Sequence, residues 1–159
     1  MGLVRVELPE SEVVEAVRRR MANGGKTRGA VVWQDRGSEV LVWAARARVR
    51  IADGYLLVKV PMASNESGRS PREVAVALFL GRPGERLGTK ATTTLDLEDP
   101  SGLTSKWGEH VQAAAWGGLL DCLGLMGKKL LLRKQPLRFV GFAGGDAALV
   151  AEFALGGEK

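Results

Sequence analysis

Histidine and cysteine each occur once in the 159 residues, as His110 and Cys122. A lone cysteine excludes an intrachain disulfide and a cysteine-built metal cage. A lone histidine leaves one candidate for imidazole catalysis, and its helical neighbours, Lys106 and Ala114, include no carboxylate to orient it. No apolar run approaches the ~18 residues of a membrane span, and MGLVRVELPESE at the N-terminus is not apolar enough for a signal peptide. The expectation is a cytoplasmic protein with no membrane partner. Amides are scarce too, limited to Asn23, Asn65, Gln34, Gln112 and Gln135, while Arg outnumbers Lys fifteen to eight. Thermophile proteins share this depletion, and a GC-rich genome leaves a similar excess of Ala, Gly, Arg and Val.

What is present fits an ordinary globular domain, at 45% hydrophobic and 26% charged residues. A chain of this length buries roughly two-thirds of the surface that its unfolded form exposes. The charge is unevenly placed. Nine Lys or Arg between Arg18 and Arg50 oppose only Asp35 and Glu39, so this segment carries +7 where the whole chain carries +5. Within it Arg46, Arg48 and Arg50 alternate, and a β-strand sends every second side chain to one face. Such a row repels itself unless it is solvated or meets a polyanion, which makes nucleic acid the first hypothesis.

The spacing predicts a helix over 10–22, with Val13, Val14, Val17 and Met21 on one stripe, acids early and Arg18–Arg20 late. Turn signals at Arg36-Gly37 and Asp53-Gly54 then cut an alternating stretch into strands at about 30–35, 38–51 and 55–62. Glu73–Leu80 and Thr89–Leu97 read as further strands, separated by loop-like composition over Ala63–Pro71 and Gly81–Gly88. A long Gly/Ala-rich helix is expected from Thr104 to Met126, with Trp107, Val111, Ala114 or Ala115, Leu119, Cys122 and Met126 inward. Its glycines call for close packing on a neighbour or a break near Gly117-Gly118. Lys129–Lys134 reads as a further short segment, and Leu137–Ala143 and Ala147–Leu155 form a hairpin. The expected fold is one α+β domain over residues 1–159, an antiparallel meander packed by two helices with a C-terminal hairpin.

Two-residue turns fix the register. Across Asp53-Gly54, Arg50 faces Leu57 and Arg48 faces Lys59, while Val49 and Ile51 face Val58 and Leu56 on the core side. Across Arg36-Gly37, Trp33 faces Val40 and Val31 faces Val42. Parity along 38–51 then assigns Val40 to the arginine side, giving one face of Trp33, Arg46, Arg48, Arg50, Tyr55, Leu57 and Lys59. Cations that track phosphates beside rings that stack on bases suit single-stranded DNA or RNA. The alternative is a solvated face whose apolar members a helix covers. Lys26 and Arg28 join the candidates from a glycine-rich loop that lacks the Walker spacing.

No catalytic, metal or cofactor site is expected. Cys122 reads as a structural thiol, and Asp96, Glu98 and Asp99 as turn and helix-start chemistry rather than Mg2+ ligands. A competing non-catalytic reading is an oligomeric adaptor or chaperone-like domain that takes an apolar peptide on its sheet. The basic, alternating region Trp33–Lys59, with the size and thermophile-like composition, resembles ThermoDBP and its relatives, archaeal single-stranded-DNA-binding proteins. That resemblance implies an apolar and aromatic cleft rimmed by basic residues, here Trp33 and Tyr55 with Arg46, Arg48, Arg50 and Lys59, and assembly as a homo-oligomer through helices. The apparent β-hairpin at the C-terminus departs from the helical end that the family implies.

Overall fold

The computed structural model describes residues 3–22, 30–52, 54–64, 71–81, 92–95, 103–131 and 137–155. It is an α+β fold of two antiparallel sheets and two helices among the described residues. A larger sheet runs in the order β2 (Val31–Asp35), β3 (Ser38–Val42), β5 (Tyr55–Ala63), β6 (Arg72–Phe79), β7 (Thr92–Leu95), with β4 (Arg48–Ala52) also paired to β5. A smaller sheet has the order β1 (Leu3–Pro9), β9 (Ala148–Leu155), β8 (Leu137–Gly144). Helices α1 (Glu10–Met21) and α2 (Leu103–Leu131) pack on each other and on the larger sheet.

Local signals place most of these elements. Arg36 and Gly37 both have positive φ, the conformation of a tight two-residue hairpin turn, so Trp33 does pair with Val40 and Val31 with Val42. The Arg50/Leu57 and Arg48/Lys59 pairs also form as expected. Helix α2 buries Trp107, Val111, Ala115, Leu119, Cys122 and Met126, the expected stripe, with Ala115 as the inward one of the two alanines. It continues to Leu131, so the first part of the segment expected at Lys129–Lys134 belongs to the helix, and residues 132–134 lie outside the described residues. There is no break at Gly117-Gly118. A Cβ on Gly118 would lie 2.8 Å from Val17 Cγ2 and 2.9 Å from its Cα, which is how α1 and α2 come into close contact. Two hydrogen bonds from the Arg20 guanidinium to Asp121, at 2.7 and 2.8 Å, tie the same pair of helices. They hold the Asp121 carboxyl below the usual range, so this support is present at neutral pH and is lost as acid protonates it.

Two features lie outside the sequence expectation. Strand β1, with Val4, Val6 and Leu8 alternating with Arg5 and Glu7, pairs with β9 at the far end of the chain. The expected single strand over 38–51 is interrupted: residues Ala44–Arg46 form a 3-10 turn, and β4 starts only at Arg48.

The cause of that interruption is Pro61. In the register of β3 on β5, Trp43 stands opposite Pro61, and the Trp43 N–H donates to the Pro61 carbonyl at 3.0 Å. A ladder would return a bond from residue 61, but proline has no N–H. The Trp43 carbonyl instead accepts from the Arg46 N–H at 2.9 Å, which closes the 3-10 turn. Lys59, which an unbroken ladder would pair with Ala45, pairs with Arg48. An odd number of added residues reverses parity. Val40 and Val42 therefore share the core face with Val58 and Val60, and the arginines of β4 share the opposite face with Tyr55.

A backbone seam joins the sheets. The Gly54 N–H donates to the Gly144 carbonyl at 3.0 Å, the Gly144 N–H donates to the Gly81 carbonyl at 2.9 Å, and the Leu80 and Gly81 N–H groups donate to the Gly54 carbonyl. A Cβ on Gly144 would sit 2.9 Å from the Gly54 carbonyl carbon, so the position admits only glycine.

The helix glycines give a prediction of opposite sign at two sites. Gly118→Ala pushes against the Val17 backbone and lowers stability by about 1–3 kcal/mol in spite of better helix propensity. Gly124→Ala, with open space at its Cβ, raises stability by up to about 1 kcal/mol. Thermal denaturation followed by circular dichroism checks both.

Candidate nucleic-acid interface

Both helices pack on the inner face of the larger sheet, and no described element covers its outer face. The register arranges that face in rows. Tyr55 lies beside Phe79, Arg50 beside Leu57 and Ala77, and Arg48 beside Lys59 and Ala75. Tyr55 and Phe79 are 47% and 45% exposed and form an edge-to-face pair with ring centroids 5.0 Å apart. Small residues, Ala75 and Ala77, form the floor next to them. Two large rings left in water beside a low floor offer flat apolar surface for stacking.

The electrostatics of the face work against the stability of the sheet. Arg48 and Lys59 are directly paired across strands, and like charges in that position are destabilising. Glu73 offsets part of this through an ion pair with Arg48 that crosses the sheet surface. Arg46, Arg50 and Lys59 make no ion pair among the described residues.

Of the residues expected at the interface, Arg48, Arg50, Tyr55, Leu57 and Lys59 share this face. Trp33 does not. It is 8% exposed, donates its indole N–H to the Met21 carbonyl at 2.8 Å, and packs near His110 with ring centroids 6.5 Å apart. Its removal to the core follows from the reversed parity; the turn at Arg36-Gly37 has the expected length. Arg46 is exposed but belongs to the 3-10 turn, so the row of three arginines is a row of two with a neighbour. Lys26 and Arg28 lie outside the described residues, as do Asp96, Glu98 and Asp99.

Sequence reading missed Phe79 and Arg18. The inward series Val74, Val76, Leu78 and Leu80 assigns Phe79 to the outer face, but only pairing with β5 sets it beside Tyr55. Arg18 lies on α1 and reaches β4, where its Nε donates to the Ala47 carbonyl at 2.9 Å. It lines a groove of about 560 Å³ between α1 and β4 that also touches Arg48, Arg50 and Lys59.

Comparisons with protein-family models, curated proteins and solved structures each give no match. The chemistry of the site therefore carries the functional argument.

The remaining reactive side chains are built into the fold. His110 has its Nε2 3.3 Å from Asp35 Oδ2, a partner brought from β2, and packs against Trp107 with centroids 4.8 Å apart. Cys122 is fully buried, and that burial pushes its thiol up to about 11. With so little thiolate at pH 8, labelling of native Cys122 should run about two orders of magnitude slower than in the unfolded chain. Timed alkylation with and without denaturant measures the ratio, and similar rates in both conditions contradict the packing described.

Proposed function

We propose that this protein binds single-stranded nucleic acid, DNA or RNA, on the outer face of its larger sheet, without catalysing a reaction. The observation that carries the reading is the juxtaposition of Arg50 and Lys59, which make no ion pair among the described residues, with the exposed Tyr55–Phe79 pair on a surface that no described element covers. Stacking on a ring contributes about 1–3 kcal/mol per base, and each phosphate neutralised adds a term that weakens with salt. A flat sheet face has no helix to insert in a duplex groove, which favours single strands. The resemblance of Trp33–Lys59 to the archaeal single-stranded-DNA-binding proteins points the same way, now without Trp33 in the lining.

In this reading the protein acts in the cytoplasm as a homo-oligomer. No helix among the described residues is long and apolar enough to cross a membrane. Leu120 and Leu125 are exposed on α2, and self-association there leaves the sheet face open. The peptide-binding alternative finds no support at β4. Its free edge is already occupied at Ile51, whose N–H donates to Glu10 Oε2 and whose carbonyl accepts from Ala147, so an added strand has no continuous ladder to join.

Fluorescence anisotropy with labelled single-stranded DNA, RNA and duplex at several salt concentrations tests the proposal. Replacing Arg48, Arg50 and Lys59 together by alanine should make the plot of log affinity against log salt shallower by about 1.4–2, the lower figure if Glu73 keeps Arg48 from the phosphates. Tyr55→Ala should weaken binding by about 1–3 kcal/mol with the slope unchanged. Wild-type affinity in the triple variant removes the proposal, and salt-insensitive binding of an apolar peptide supports the alternative.

Glu73 supplies a test in the other direction. Glu73→Gln frees Arg48 from its only ion pair among the described residues. Affinity for single strands should rise at low salt and the slope steepen by up to about 0.7.

A further inference from the structure

We propose that the groove between α1 and β4 is a phosphate site, held by Arg18, Arg50 and the backbone N–H of Val49. It extends the reading of the sheet face and rests on it, because the nucleotide that brings the phosphate arrives from that face.

The argument starts from the open edge of β4. Backbone groups of alternate residues in an antiparallel strand point to the same side. The Ala47 carbonyl accepts from Arg18, and both the N–H and the carbonyl of Ile51 are bonded on the side away from β5. Val49 lies between these two residues with the same parity, so its N–H and carbonyl point to that edge too. Neither has a partner among the described residues. Val49 lines the groove, so its N–H is left to meet a ligand or water there.

The surroundings define the ligand. Arg18, Arg48, Arg50 and Lys59 line the groove, against Glu10 and Asp146 as its acids. The carboxylate of Glu10 is engaged with the Ile51 N–H at 2.9 Å, which leaves Asp146 as the acid at the rim. Arg18 fixes its Nε on Ala47, with Nη1 3.6 Å from Glu15, so the guanidinium is held in place with N–H groups to spare. A planar guanidinium beside a backbone N–H is a recurring cradle for phosphate oxygens. The Val49 carbonyl, an acceptor, suits the N–H groups of the neighbouring arginines. At about 560 Å³ the groove has room for a phosphate together with part of the nucleoside that carries it. Lys59 on β5, Arg48 and Arg50 on β4 and Arg18 on α1 all line this groove, so a strand bound on the sheet can be led over the edge of β4.

A phosphodiester within the strand and a terminal monophosphate offer the same oxygens. The experiment uses the full chain labelled with 15N, titrated with inorganic phosphate and with single-stranded DNA of equal length carrying a 5′-phosphate, a 3′-phosphate or hydroxyl ends. The Val49 amide resonance should move with inorganic phosphate and with DNA. Arg18→Met, which keeps the apolar stem, should abolish that movement and weaken DNA binding about tenfold or more at low salt, while Arg18→Lys restores part of it. Several-fold tighter binding of one phosphorylated DNA assigns the site to a terminal phosphate. Equal binding of all three assigns it to an internal phosphodiester. A Val49 amide unmoved by every titrant overturns the inference, even if Arg18→Met fails to fold. Weakened DNA binding in Tyr55→Ala, whose ring lies outside the groove, alongside a silent Val49 amide sinks the groove and leaves the sheet-face reading standing. A Val49 amide that responds to phosphate in the wild type, with DNA binding unchanged in Tyr55→Ala, has the opposite meaning.

Discussion

The arrangement of this protein depends on one absent hydrogen bond. Proline at position 61 cannot donate to Trp43, the Trp43 carbonyl turns to Arg46, and the strand that began at Ser38 folds into a 3-10 turn before it resumes at Arg48. Both pieces lie along the same side of β5, yet their side chains are out of phase. That phase difference sorts the +7 segment. The valines of β3 join the core, Trp33 follows them and caps the carbonyl of Met21, and the arginines of β4 are left in water. With an unbroken ladder, either the valines would be wetted or the arginines buried without partners, and each outcome is costly.

The outer face carries arrangements that a sheet selected for stability alone would avoid. A cation opposes a cation at Arg48 and Lys59, and two rings stand in solvent at Tyr55 and Phe79. Glu73 moderates the first and mutual edge-to-face contact moderates the second. Neither compensation removes the feature, and the binding of single strands proposed above would account for both. Beneath it, the close contact of α1 and α2 over Gly118 and the Arg20–Asp121 bonds hold the helices that back the sheet.

Much of the fold was legible because its signals are local. The stripes of α1 and α2, the two tight hairpins and the cross-strand pairs beside them all depend on residues within a few positions of one another. The candidate face was legible for Arg48, Arg50, Tyr55, Leu57 and Lys59 for the same reason. Trp33 was misplaced because parity was carried through a segment where the ladder fails, and the warning lay in Pro61, on the partner strand. Strand β1 was hidden by distance, since its alternation is clear but its partner β9 lies at the other end of the sequence. Phe79 and Arg18 needed three-dimensional pairing, one across β5 and β6, the other between a helix and a strand edge.

The meeting of Gly54, Gly81 and Gly144 has a consequence for how the molecule comes apart. Main-chain groups from the two sheets bond each other directly there, with no layer of side chains to slide or melt first. Strand β1 and the hairpin of β8 and β9, drawn from the two ends of the chain, are thereby fastened to the middle of the larger sheet. Opening one sheet strips hydrogen bonds from the other. The seam makes the two sheets a single cooperative unit, and strands β1 and β9 are its clasp rather than its fringe.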